Sequence, residues 1–481
     1  MLKILLAAVV GTTGVVSAAH AADLVDVYRL ARQNDPTLQK AEATREAVQQ
    51  ARPEALSALL PQFGASANYS KGKSNGTQSY YDPRTGKFVT PSSSTTSTDK
   101  NYSISLSQSL FNWADYLSLG QADIQVAQAE VNYEIAQQDL IVRVSQAYFN
   151  VLSANDTLQA AMANQKALAK QLEQSKKRYK VGLSAITDVQ EIEASFDQAH
   201  AQVIADRQAL INAQDAMIAI TGVHVGNLQE PVAELPLKKP EPANAQAWID
   251  QAIQQNLQLV STRMDAKIAA KTIGIQRAAR FPTLGLQIAR THRASDSTGT
   301  TGGVFSPSTS QVSGNSVQLS FTLPIYSGGA IAARTREAKY RHVAAEAQTH
   351  VIARQIKQNT RDAFLGVLTG IAKVKALKEA VISAETALRA TEAGQQVGTR
   401  TTVDVLNARN QLLTARTNYA QARYQYLIDG LLLEQAAGTL DSKDLVSINQ
   451  YLTRKPTVPG ENLKPRNPKK MPPTPPKAAA E

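Results

Sequence analysis

The sequence predicts a mixed membrane α/β fold. Amphipathic strands supply part of an outer-membrane β-barrel, very long α-helices pack as coiled coils beside them, and the plan is written twice in tandem. Three observations carry this. VGLSAITDVQ, from Val181, returns as VGTRTTVDVL, from Val397, 216 positions later. Blocks rich in Ala, Glu, Lys, Arg and Leu run for about sixty residues at a time, the profile of long helices. Between them lie segments that alternate apolar with small polar residues, the period of a strand with two different faces.

Residues 1–21 read as a signal peptide. Lys3 gives the positive start, Ile4 to Val16 the apolar stretch, and Ala19-His20-Ala21 the small residues of a cleavage site. That stretch is too short to span a bilayer. Export is therefore expected, with a mature start near Ala22. The chain has no cysteine, which excludes disulfides, thiolate metal sites and a lipid-modified N-terminal Cys. After the signal no eighteen consecutive residues are apolar, so a membrane role must come from a β-barrel.

The first repeat is expected over 22–225. It opens with a helical stretch from Leu24 to roughly Leu60, then two strands within about 62–111, a long helix from Trp113 to about Lys180, a turn, and a helix from Ile186 to Ile220. After a linker at 226–244, the second repeat, 245–450, has the same order: helix to roughly Arg280, strands within about 281–325, a long helix from Ala330 to about Gln396, and a helix from Val403 to Ala437. LLPQFGASANYS from Leu59 echoes RFPTLGLQIAR from Arg280, and SLSQSLFNWAD from Ser105 echoes LSFTLPIYSGG from Leu319. A period this large, present twice, marks a duplicated half, not a solenoid.

The strands decide the membrane question. Tyr102, Ile104, Leu106 and Leu110 are set against Ser103, Ser105, Ser107 and Ser109; Val317, Leu319, Phe321 and Leu323 against Gln318, Ser320 and Thr322. One such strand would suit an ordinary half-buried sheet. Four strands of roughly ten residues, flanked by aromatics, behind a signal peptide, suit a barrel wall with lipid outside and water inside. Four strands cannot close, and lipid tolerates no open edge, so copies must pool them. The Ser/Thr-rich loop Lys71 to Lys100 is expected outside the cell.

Each long helix would be about 100 Å at 1.5 Å per residue. In the first, Val131, Ile135, Val142, Phe149 and Leu152 form one stripe, with Leu140, Val144, Tyr148 and Val151 beside it. In the second the stripe runs through Ile352, Ile356, Ala363, Val367, Val374, Val381 and Leu388. This is close coiled-coil packing, and two stripes suit a helix with neighbours on both sides, as in a closed ring; a solid rod is the alternative. Residues 451–481 form a Pro/Lys-rich tail expected to be disordered. Its last 27 residues, Lys455 to Glu481, hold +4 of the net +11, which argues against a nucleic-acid surface on the body.

VGLSAITDVQ, VGTRTTVDVLNAR, NARNQLLTARTNYAQARYQYLI and SLSQSLF resemble the TolC family of outer-membrane factors, over Leu24 to about Asn449. The resemblance implies a homotrimer: twelve strands, four per subunit, in one outer-membrane barrel held by lipid, and twelve helical tracks forming a hollow tunnel through the periplasm. It makes the repeated turns the inner mouth. Gly182 and Gly398 suit the left-handed position that ends a helix, and Asp188 and Asp404 suit the start of the next, where capping is the ordinary role of an Asp. By resemblance Asp404 also rings the closed pore, where a second acidic ring is replaced by Asn407. Arg400 ties neighbouring coils through Thr187 and Asp188, Gln171 and Glu392 form another inter-coil pair, and Gln395 stands where a latch tyrosine is common. Solvent-exposed bridges of this kind are worth roughly 0–1 kcal/mol each, weak enough for a docking partner to undo.

The implied function is the exit duct of a tripartite efflux or type I secretion system. A periplasmic adaptor (membrane fusion protein) is expected to dock at Val181, Gly182, Leu183, Val397, Gly398 and Thr399. An inner-membrane pump of RND, ABC or MFS type supplies the energy. The chain itself shows no P-loop, no paired His at metal spacing and no dinucleotide turn; His200, His224, His292, His342 and His350 are scattered. No enzyme activity, cofactor or metal is expected. The alternatives are a periplasmic coiled-coil adaptor or scaffold, which would need lipoyl-like β-domains and an inner-membrane anchor, and a soluble periplasmic enzyme on a helical stalk.

Overall fold

A computed structural model describes residues 21–77, 79–232, 235–301 and 304–453. The expected signal peptide, up to its last residue, and nearly all of the expected tail lie outside them.

The first helical stretch is three helices: α1 (Leu24–Asn34), α2 (Pro36–Gln49) and α3 (Ala51–Ser57). The break at Asp35 has a local cause. Pro36 cannot donate back into α1, but suits the first position of a new helix. Asp35 caps that helix, accepting from the Leu38 N–H at 2.7 Å. Then come β1 (Gln62–Thr77), a small hairpin of β2 (Tyr80–Asp82) and β3 (Lys87–Val89), and β4 (Ser92–Phe111). α4 (Trp113–Lys180) and α5 (Ile186–Thr221) form a hairpin. β5 (Glu230–Pro231) follows in the connection to the second half. That half has α6 (Ala245–Gln255) and α7 (Leu257–Ala278), β6 (Thr283–Thr301) and β7 (Val304–Thr322), and a second hairpin of α8 (Ala330–Gln396) and α9 (Thr402–Ala437). α10 (Ser442–Asn449) and β8 (Leu452–Thr453) end the described chain.

The four long strands make one antiparallel sheet in the order β1-β4-β6-β7, so β1 and β7 are open edges. Register aligns the faces. Phe63, Leu106, Ile288 and Val317 stand in one row across the sheet, and Gly64, Ser105, Ala289 and Ser316 in the next. Two expectations are corrected. The strands are 16 to 20 residues long instead of about ten, and most of the expected loop 71–100 is ladder, with only the β2–β3 hairpin at its tip. Ser and Thr sustain the pairing there through cross-strand contacts such as Ser94 Oγ to Asn75 Oδ1 at 2.7 Å, and beyond the apolar rows both faces can be wet. Leu110 also leaves the predicted stripe. A bulge skips it, so that Phe111 stands opposite Leu284 and Phe321. Ile325 and Tyr326, 94% and 87% exposed, extend the aromatic and apolar surface just past β7.

α4 has 68 residues and α8 has 67, about 100 Å each. Among the described residues no helix is long and apolar enough to cross a membrane. The main core lies at the waist. There α1 and α10 pack Leu24, Val27, Leu445 and Ile448 against Leu140, Val144, Tyr148 and Phe149 of α4 and Leu427, Ile428 and Leu431 of α9. Both predicted stripes of α4 contribute to it. Polar contacts sew the waist shut: Tyr148 Oη donates to the Gln229 carbonyl at 2.8 Å, and Arg143 makes two bonds of 2.9 and 3.0 Å to Asp35. At Gly438, φ is 82° and an added Cβ would lie 2.5 Å from the Gln255 carbonyl oxygen, so only glycine ends α9 there.

Candidate functional site at the tips of the helical hairpins

The two repeated turns close the two long hairpins with the same geometry. Gly182 has φ 78° and Gly398 φ 79°. The Leu183 N–H reaches the Arg178 carbonyl at 2.9 Å and the Gly182 N–H the Tyr179 carbonyl at 3.0 Å. At the second tip Thr399 reaches Gly394 at 2.9 Å and Gly398 reaches Gln395 at 3.2 Å. This double closure satisfies the last carbonyls of each long helix and needs a left-handed residue. It leaves Val181, Leu183 and Val397 exposed by 68%, 69% and 76%, an apolar tip on each hairpin.

The two aspartates next to the turns behave differently. Asp404 completes a capping box with Thr401: its carboxylate accepts from the Thr401 N–H at 2.9 Å, while the Asp404 N–H donates to Thr401 Oγ1 at 3.2 Å. The Thr401 backbone bond, then the Thr401 hydroxyl, and the nearby Arg400 charge hold the Asp404 carboxyl below the usual carboxylate range, so it is ionised at neutral pH. In the first repeat Ala185 stands where Thr401 does and offers no cap. Asp188 is thereby released. It accepts from Ser184 Oγ at 2.9 Å and, across the molecule, from Thr402 Oγ1 at 3.3 Å. Thr402 also receives the Gln395 amide at 3.1 Å. The chain Gln395–Thr402–Asp188–Ser184 thus joins the two hairpins at their tips.

The other expected residues fall as follows. Thr187 and Asn407 are exposed. Arg400 forms no ion pair among the described residues, and its side chain lies over Gly394, where an added Cβ would come within 2.8 Å of Arg400 Cγ. Glu392 accepts from Arg409 at 2.7 Å, inside its own hairpin. Both amide atoms of Gln171 are buried without a hydrogen-bond partner among the described residues. Sequence reasoning passed over Thr402, Ser184, Gly394 and Arg409. Gly394 had a signal, since glycine inside a helix is costly and asks for a reason.

A sheet with two open edges, an apolar and a small-polar face, and 100 Å helical hairpins ending in apolar tips defines the class: an outer-membrane channel that reaches into the periplasm. The comparisons agree. Residues 27–223 and 248–439 match the family of outer membrane efflux proteins, and the chain belongs to that family. Outer membrane protein TolC of Escherichia coli (strain K12) is 35% identical over 462 residues, covering 95% of this chain and 90% of that protein. Alkaline protease secretion protein AprF of Pseudomonas aeruginosa is 28% identical over 434 residues, 89% of this chain and 86% of that one. The crystal structure of the Campylobacter jejuni CmeC outer membrane channel shares the fold, with a TM-score of 0.69 at 18% identity over 89% of this chain and 90% of that one. The protein is an outer-membrane exit duct of the kind used in efflux or type I secretion. The trimer, adaptor and inner-membrane transporter implied by the resemblance go with that family, which is one of channels and not of enzymes.

Proposed function

We propose that three copies of this chain close one twelve-stranded barrel in outer-membrane lipid, extend it inward as a tunnel of helices, and seal it at the hairpin tips. The two unpaired edges of the four-stranded sheet carry the reading. Each edge exposes a row of backbone donors and acceptors that lipid cannot satisfy, and the β1 edge of one copy complements the β7 edge of the next. The repeats 22–225 and 245–450 then each supply two strands and one hairpin to the ring.

The gate opens like an iris when the coils separate. Asp404, with Asn407 one turn on, faces the axis and favours cations. A carboxylate that caps its own helix keeps lone pairs free for such a role. Thr187, Asp188, Arg400, Gln171, Glu392 and Gln395 form the latch. Three features support this: Asp188 already bridges two hairpins, Arg400 has no ion-pair partner within the described protomer, and the Gln171 amide is buried without one. An adaptor docks on Val181, Gly182, Leu183, Val397, Gly398 and Thr399, and an inner-membrane pump of the RND, ABC or MFS class drives transport. The duct does no chemistry of its own. The test is single-channel recording in planar bilayers. Wild-type protein should give low-conductance, cation-selective channels blocked by multivalent cations, and Asp404→Ala should lose the block. Unchanged block would leave Asp404 with its capping role alone; a soluble, non-conducting monomer would remove the duct.

A further inference from the structure

The duplication allows the two hairpins to be compared position by position, at the 216-residue offset of the turns. Residues 166–180, the last turns of α4, hold six cations, Lys166, Lys170, Lys176, Lys177, Arg178 and Lys180, against the single carboxylate Glu173. The matching residues of α8, 382–396, hold one cation, Arg389, against Glu385 and Glu392. The backbone is the same and the chemistry is not.

The cations are ordered. Lys166, Lys170, Lys177 and Lys180 stand at i, i+4, i+11 and i+14, on one face of α4, over about 21 Å at 1.5 Å per residue. All four are exposed. Leu168 and Ser175, on the opposite face, are buried, Leu168 against Ala199 and Leu406. Within the strip Glu173 bonds Lys177 at 2.7 Å. Lys177 and Lys180 suit the C-terminal turn of α4, but Lys166 and Lys170 lie turns further in, where like charges at helical spacing repel and, among the described residues, no carboxylate of their own helix pairs with them. It leads straight to the exposed Val181 and Leu183. At the corresponding places α8 shows Ile382, Thr386, Ala393 and Gln396, all uncharged.

A neighbouring copy is a poor occupant. The carboxylates at this level of its second hairpin, Glu385, Glu392 and Asp404, are held by Arg416 at 2.6 Å, by Arg409 at 2.7 Å and by the Thr401 N–H at 2.9 Å. A flat anionic membrane would meet a tip end-on, not along the side of a helix. A row at helical spacing beside an apolar tip fits another helix lying alongside. We propose that the Lys166–Lys180 face of α4 is a docking strip for an acidic helix of the periplasmic adaptor, while the second hairpin is engaged through its apolar tip alone. This rests on the duct reading and deepens it. Six hairpins around a trimer would alternate between ones that carry the lysine strip on the long helix and ones that do not, and a partner that reads the strip would bind in one register out of two. Exposed charge pairs are suited to that, since they set orientation and encounter more than affinity.

The probe is a pair of two-helix hairpin peptides, one with four Glu at the strip's spacing and a twin with Gln at the same places, titrated onto the purified wild-type trimer. The Glu peptide should bind about tenfold more tightly at low salt, lose that advantage as screening lengths fall below contact distances, and lose it also in the Lys166→Gln/Lys170→Gln/Lys177→Gln variant. It should keep it in Ile382→Gln/Thr386→Gln. The variant's trimer on an unheated gel reports folding, and the milder Lys170→Gln alone should give a partial loss. Equal binding of the two peptides overturns the proposal. So does resistance of Lys166 and Lys170 to acetylation in the trimer, which would place them under a second copy, or tighter capture by phosphatidylglycerol vesicles than by the Glu peptide. Conductance of the same wild-type preparation reads the duct separately: a conducting trimer indifferent to the peptides sinks the strip and leaves the duct.

Discussion

Gly394 and Arg400 show how one side chain can be set by the absence of another. Arg400 folds over Gly394 because no Cβ stands there. Gly394→Ala should raise helix propensity by about 1 kcal/mol and yet push Arg400 aside. The expected result is a trimer at least as heat-stable as wild type with higher closed-state conductance, matching Arg400→Ala. Wild-type conductance in both variants would remove Arg400 from the latch. Asp35 makes a second residue-scale case. Burial raises its pKa, but the Arg143 hydrogen bonds, the Leu38 N–H and the Arg143 charge outweigh that and hold it below the usual range. A depressed carboxylate adds stability above its unfolded pKa of about 3.9 and loses it as pH falls through the folded value. Asp35→Asn should therefore lower the melting temperature at neutral pH, by the equivalent of about 1–3 kcal/mol given the partial exposure of Arg143, and flatten the acid limb of the stability curve. A melting profile parallel to wild type below pH 5 would show that the pair carries no pH dependence.

At the scale of the hairpin, the duplication hides an inversion. Lys176 bonds Glu193 at 2.8 Å in the first hairpin, and at the same two positions of the second Glu392 bonds Arg409 at 2.7 Å. A hairpin is tied equally well whichever arm carries the cation, so the halves keep the bond and exchange its polarity. Read as letters, Lys176 and Glu392 look like a mismatch, and the shared tie shows only when Glu193 and Arg409 are set beside them. The two ties differ in worth. Lys176 and Glu193 are about half-exposed, whereas Arg409 is only 17% exposed. Lys176→Ala should cost less than about 1 kcal/mol and Arg409→Ala about 1.5–3 kcal/mol, read as protease sensitivity at the tips. Equal sensitivity would sink the distinction. Thr402→Val should act between hairpins instead: it breaks the Gln395–Thr402–Asp188 chain and should loosen the closed channel without softening either hairpin.

Across the whole chain, what was legible in the sequence is what period and repetition encode. Both long helices start and stop where their turns and caps said, because Gly182, Gly398 and the stripes of α4 and α8 act locally. What stayed hidden depends on contacts far apart in sequence: the extra length of the strands, set by partners across the sheet; the bulge at Leu110, set by β6; and the Thr402–Asp188 bridge, which spans 214 positions. The closed barrel lies further out still, since its last hydrogen bonds join different copies. The absence of cysteine makes it testable without background. Ala65→Cys on the β1 edge, combined in turn with Ser313→Cys, Asn315→Cys and Val317→Cys on the β7 edge, samples neighbouring registers of an antiparallel joint. Within one protomer β4 and β6 separate these edges, so any disulfide must form between copies. One combination should give covalent dimers and trimers under oxidation, with the ladder collapsing to monomer on reduction and conductance retained while linked. If no register cross-links in membranes, while a Cys pair across β4 and β6 does, the edges are not joined and the cylinder does not close as a trimer.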